Sequence, residues 1–151
     1  MKYFLLKVGT ERYWIEQDDD NYAYRQITLD EFNELHISCL EDYLSEGEIS
    51  EMEIEEWKED GWFFDLTKEE FENLWQSVIK KYEKQWKEVK KRYPIGTIVR
   101  GINSYIYPQG TIITGEDFLA VYTGNEPFYL HKEVCYKVIS YDEINMWLMV
   151  V

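Results

Sequence analysis

The stretch YPIGTIVRGINSYIYPQGTIIT, Tyr93–Thr114, decides how this chain is read. Before it, an apolar helical period runs up to Tyr93, and Pro94 with Gly96 stops it. After it that period is gone, and short runs of β-formers are separated by Gly, Pro and Asn. Strands are expected near Thr97–Ile106, Thr111–Thr114, Phe118–Thr123, Tyr136–Ser140 and Met146–Val150, with Asp142-Glu143-Ile144-Asn145 turning the last hairpin. Five short strands with no helical period point to a small β-barrel over residues 94–151.

Upstream of Tyr93, Thr67 and Glu70 fit a capping box. From there Phe71, Leu74, Trp75, Val78, Tyr82, Trp86, Val89 and Tyr93 recur at steps of three or four, predicting one long amphipathic helix over 68–92. Lys80, Lys84, Lys87 and Lys91 form a basic stripe off its apolar face, read first as a solvated face paired with glutamates. At the N-terminus, Lys2–Val8 and Arg12–Glu16 flank Gly9-Thr10-Glu11 as a hairpin. Asp18-Asp19-Asp20-Asn21 makes a polar loop. Tyr22, Tyr24 and Gln26 then alternate with Ala23, Arg25 and Ile27 as a third strand. Thr28 with Glu31 also fits a capping box, predicting a helix through Phe32 and Leu35. Residues 36–43 fit helix or strand equally, and the glutamate-crowded run 48–60 fixes no type. The expected fold class is α+β: an acidic α+β domain over 1–93 that includes the long helix, then the barrel over 94–151.

Composition bounds the function. In 151 residues, 6 Trp, 13 Tyr and 7 Phe supply enough rings for a substantial core. Against 16 Lys and Arg stand 30 Asp and Glu, a net charge of -14, which argues against a general nucleic-acid binder. Residues 1–64 carry 5 basic and 18 acidic side chains, so nearly all of the excess lies there. No uncharged apolar run of about 18 residues exists to span a membrane. The run Tyr3–Leu6 is too short for a signal peptide. Cys39 and Cys135 lie far apart with no CxxC pair, which reads as a reduced, cytoplasmic protein without a zinc site or disulfide framework.

The spacing of Gly96, Val99, Gly101, Ile106, Pro108 and Gly110 resembles the first strand and turn of an S1-like RNA-binding domain, a five-stranded barrel of the OB class. Tyr136–Asp142 followed by Trp147-Leu148 is similar to that family's closing hairpin, and Leu130-His131 resembles the stretch after its third strand. The resemblance spans residues 94–151. It implies a ligand face with stacking rings, yet the two positions where the family places aromatics hold Gln109 and Ile112. His131 stands where the family often has a histidine. If the barrel binds RNA, the implied contacts are Arg100, Tyr105, Tyr122, His131 and Lys132, joined by Lys84 and Lys87 of the helix.

No residue nominates itself for catalysis. His36 and His131 are the only histidines; Cys39 lies three residues from His36, but nothing marks a third, orienting group. Among 30 acids, carboxylate pairs carry no information about acid–base work. Asp18–Asn21 lacks the glycine and glutamate of a calcium loop, Ala23 and Leu29 standing at those positions. No Gly-rich phosphate loop occurs, and no cofactor or metal is implied. The expectation is a non-enzymatic binding protein whose acidic residues, Asp18, Asp19, Asp20, Glu51, Glu53, Glu55 and Glu56 foremost, face a basic protein. The hairpin-rich start, the stretch His36–Cys39 and the run Glu69–Trp75 faintly resemble bacterial immunity-type proteins, which implies a nuclease-type toxin as partner.

Overall fold

A computed structural model describes residues 1–126 and 129–151, in two compact units, residues 1–80 and 81–151. The expected boundary at 93/94 and the division at 80/81 differ by the last turns of the helical stretch.

Unit 1 is built on an antiparallel sheet. Strands β1 (Lys2–Val8) and β2 (Glu11–Gln17) form the expected hairpin, with Gly9 at φ 61° in the turn. Strand β3 (Ala23–Leu29) pairs with β2 and β4 (Leu35–Ile37) with β3, while β5 (Phe63–Asp65) pairs with β1, giving the order β4-β3-β2-β1-β5. The register lines up Tyr3, Glu16 and Arg25 on one face, and Phe4, Ile15 and Gln26 on the other. Helix α1 (Glu51–Glu59) lies on the Phe4 face, where Trp57 meets Phe4 with ring centroids 6.1 Å apart. Helix α2 (Lys68–Ile79) lies on the Tyr3 face and buries Phe71 and Trp75 there.

Two expectations fail in this region. Thr28 does not open a helix: it is a buried β3 residue, its hydroxyl accepting from Gln26 Nε2 at 3.0 Å. The turn that follows belongs to Asp30, whose Oδ1 accepts from the backbone N–H of Phe32 and of Glu34, both at 2.9 Å. That Asx turn, with Asn33 at φ 63°, reverses the chain into β4. The one helix expected over 68–92 is also two. The capping box of Thr67 and Glu70 opens α2 as expected, but Lys80–Tyr82 is a 3₁₀ turn and a second helix, α3 (Glu83–Arg92), follows. The apolar period continues through the break because the halves serve different cores. Phe71, Trp75, Val78 and Ile79 are buried in unit 1, and Trp86 is buried in unit 2.

In unit 2 the five expected strands form: β6 (Ile98–Tyr107), β7 (Gly110–Thr114), β8 (Leu119–Tyr122), β9 (Glu133–Asp142) and β10 (Trp147–Val150). They hydrogen-bond in a closed ring, β10-β8-β7-β6-β9, in which only the β8–β10 pair is parallel. Val99, Ile112, Ala120, Val138, Trp147 and Leu148 are among its buried residues. Two glycines permit the closure. A Cβ on Gly110, at φ 144°, would stand 2.4 Å from the carbonyl oxygen of Tyr122, and one on Gly101 would stand 2.8 Å from that of Thr114. Helix α3 is tied to this ring by Trp86, whose indole N–H donates to Glu143 at 2.6 Å, and by Lys90, which donates to the same carboxylate at 2.9 Å. No described helix is long and apolar enough to cross a membrane.

Candidate functional site

The two units differ sharply in charge. Residues 1–80 hold 7 basic and 22 acidic side chains, a net of -15, whereas residues 81–151 hold 9 and 8, a net of +1. The excess is therefore a property of unit 1 alone. Much of it comes from α1. Ser50 caps this helix by accepting from the N–H of Glu53 at 3.1 Å, and Glu51 and Glu53 occupy its first turn, where the helix dipole favours negative charge. Glu51, Glu53, Glu55 and Glu56 are all exposed, and the polar run of α1 is explained by its burying Ile54 alone.

Asp18, Asp19 and Asp20 sit in the β2–β3 connection, where Asp18 Oδ1 accepts from the N–H of Asp20 and of Tyr22, both at 2.9 Å. This is a self-satisfied Asx turn. It is joined to the segment leading into α1. Tyr22 bridges to Glu48, the N–H of Ile49 donates to Asn21 at 2.7 Å, and Gln17 Nε2 donates to the carbonyl of Ile49 at 3.1 Å. Acidic residues about thirty positions apart in sequence thus share one rim.

One acidic side chain has a different role. Glu16 is buried and receives Arg25 through Nε at 2.7 Å and Nη2 at 2.8 Å, together with the Tyr3 hydroxyl at 2.8 Å. Arg25 also reaches Glu72 of α2, and its guanidinium lies 5.0 Å from the Phe71 ring centre and 4.9 Å from that of Trp75. Burial opposes the charge on Arg25, but the two carboxylates outweigh it and hold its pKa above the ordinary value. Burial and the bond to Glu16 push the Tyr3 phenol up to about 12. This cluster locks α2 to the sheet. Its clue in the sequence was the alternation that set Arg25 on the same side of its strand as Ala23 and Ile27.

His36, in β4, stacks on Tyr43 with ring centroids 4.0 Å apart. Its Nε2 faces Asp30 at 2.7 Å and its Nδ1 faces Glu41 at 2.6 Å, two carboxylates that suit an imidazolium donating from both nitrogens. Ligand atoms of Asp30, Glu34 and His36 lie within 4.8 Å of one another, and both ring nitrogens of His36 already face carboxylates. Cys39 is fully buried nearby and Cys135 is exposed, and neither forms a disulfide. The bond to Asp30 raises the pKa of His36 above 6.5, and the bond to His36 lowers that of Asp30 below 3.8. The histidine's contribution is therefore complete below about pH 6.5 and is lost as pH climbs through its raised folded value; the aspartate's is lost as pH falls through its depressed one. Chemical-denaturation midpoints are expected to decline in the native chain as pH rises above about 6.5. In His36→Gln the decline over that window should vanish; an unchanged decline would assign it to other groups.

In unit 2 the nucleic-acid candidates come from α3, β6, β8 and the residues just before β9. Lys84 and Lys87 are exposed on α3, and Lys80 is exposed at the start of the 3₁₀ turn. Arg100 is exposed and paired with Glu133 at 3.0 Å. Tyr122 is buried and stacked flat on Tyr136 at 4.6 Å, and Tyr105 is half-buried against Tyr107 at 4.8 Å. Ile112 is fully buried, so its position offers no surface for a base. His131 and Lys132 are exposed, His131 at φ 65° and Lys132 with its ammonium 5.5 Å from the Tyr129 ring centre.

Cavities occur in unit 1, on the Phe4 face of the sheet. One of about 410 Å³ is lined by Tyr13, Gln26, Thr28, Asp30, Phe32 and Tyr43 among others. Tyr13 and Ser45 also line a second. Sequence reasoning missed both, because the loop over residues 38–50 that walls them has no periodic pattern. No family model, curated protein or solved structure matches the chain.

Proposed function

We propose that the chain is a non-enzymatic, cytoplasmic binding protein that presents the acidic surface of unit 1 to a basic protein. The carrying observation is the confinement of the entire charge excess, net -15, to residues 1–80. A charge needed only for solubility has no reason to spare one of two units. A concentrated face of one sign raises association rates and selects against acidic partners. Immunity against a nuclease-type toxin is one concrete form, since such toxins must carry positive charge to hold nucleic acid.

A second reading has one observation in its favour. The closed ring with its single parallel pair supports an OB-class, S1-like barrel, the kind of scaffold that binds oligonucleotides. In that reading RNA binds along Arg100, Tyr105, Tyr122, His131 and Lys132 with Lys84 and Lys87. The inward use of Tyr122 and the near-neutral charge of unit 2 weigh against it.

The test pairs two titrations. Purified basic nuclease domains are titrated onto the immobilised chain at low and moderate salt, and labelled single-stranded RNA is titrated in parallel. The expected result is one saturable protein partner whose association slows about tenfold or more on reversing Glu53, Glu55 and Glu56 to Lys. Saturable RNA binding lost on Lys84→Glu, Lys87→Glu and His131→Ala would replace this reading with the second.

A further inference from the structure

The second cavity of unit 1 has a composition unlike the rest of its surface. Its volume is about 260 Å³. Leu6 and Ile15 of the sheet and Ile49 of the loop form a buried apolar floor. The rings of Tyr13 and Trp57, both half-buried, stand around it. Glu46, Glu48 and Glu53 supply its charge, all three are exposed, and no Lys, Arg or His is among the lining residues. In the neighbouring cavity Asp30 is ion-paired with His36, whereas among the described residues no cation pairs with Glu46, Glu48 or Glu53, Glu48 accepting only from the Asn21 amide at 3.4 Å.

Size and chemistry together select a ligand. Small-molecule sites run from about 300 to 1,000 Å³, so this volume suits one long side chain better than a free metabolite. Three carboxylates exclude an anion. Aromatic faces beside carboxylates favour a desolvated cation, and an apolar floor suits a methylene stem beneath it. Between the two cationic side chains, a guanidinium fits better. It is planar, stacks on rings, and has five donors to share among several carboxylates, whereas an ammonium is a strongly hydrated point charge.

We propose that this cavity receives an arginine side chain of the basic partner, as the anchor of the interface. The inference rests on the acidic-surface reading above and goes further, because it replaces a diffuse negative field with one defined pocket. Arginines seated against interface rings are among the residues that dominate binding at many interfaces, while surrounding charges mainly steer.

The probes are two blocked peptides, tetra-arginine and tetra-lysine, titrated into the full chain with NMR detection of the aromatic and glutamate side chains. Tetra-arginine is expected to saturate, with shifts concentrated on Tyr13, Trp57 and Glu53, and to bind several-fold more tightly than tetra-lysine. Glu48→Gln and Glu53→Gln, both at exposed positions, should each weaken it about tenfold. Glu55→Gln, outside the cavity, should leave it unchanged. Trp57→Leu should weaken it as well, but Trp57 also touches Phe4, so the two glutamate variants decide. Equal affinity for both peptides would overturn the choice of arginine. Shifts spread over Asp18–Asp20, Glu55 and Glu59 without Trp57 would overturn the pocket and leave the acidic-surface reading standing. No binding of either peptide at low salt would overturn both.

Discussion

Arg25→Ala is expected to destabilise unit 1 by about 3–5 kcal/mol, the cost of leaving a buried carboxylate without its cation. Glu16 is 3% exposed and, among the described residues, keeps the Tyr3 hydroxyl alone once the guanidinium is gone. The same change removes the cation from between the sheet and the rings of Phe71 and Trp75, so α2 loses its tether as well. Urea titration followed by tryptophan fluorescence measures the loss. The informative companion is the double replacement Glu16→Leu with Arg25→Met, which removes both charges and fills the volume. It should recover most of the deficit, because desolvating the pair costs nearly as much as their attraction returns. Additive losses in the double variant would show that the two groups act independently, contrary to the 2.7 Å contact between them.

Trp147→Ala should be as damaging in unit 2. Trp147, in β10, is 1% exposed and lies 6.2 Å from the ring of Tyr107. Truncating a buried tryptophan costs about 3–5 kcal/mol, the transfer loss plus the cavity it leaves. A unit of roughly 70 residues has only about 4–11 kcal/mol to lose, so the ring should be at or near its limit of stability. Circular dichroism on heating is the measurement. A loss under about 1 kcal/mol would mean that the neighbours collapse into the space, and that the interior is looser than its burial indicates.

The C-terminal half was legible because its evidence is local. A strand declares itself by a few β-formers, and a turn by Gly, Pro or Asn; Gly101 and Gly110 are where backbone crosses backbone too closely for a Cβ. The N-terminal hairpin and the capping box at Thr67 were legible for the same reason. Thr28 and Glu31 misled because a capping box is only a spacing. Whether Thr28 starts a helix depends on what its strand neighbours bury, and here Gln26 and β4 claim it. The break at Lys80–Tyr82 was invisible in the period, since apolar residues at helical steps do not say which core they enter.

The candidate site divides along the same line. That the chain carries its negative charge in its first half follows from counting residues, and no fold could alter it. That Glu46, Glu48 and Glu53 gather around Tyr13 and Trp57 over an apolar floor is decided by tertiary structure alone. Tyr13 arrives on β2, Trp57 on α1, and the glutamates on an aperiodic loop and the helix it leads into. The physical reason is that a pocket is a relation between surfaces brought together by burial elsewhere. The hydrophobic contacts that dock α1 on the sheet fix the pocket's shape, while the residues lining it leave no periodic trace in the sequence.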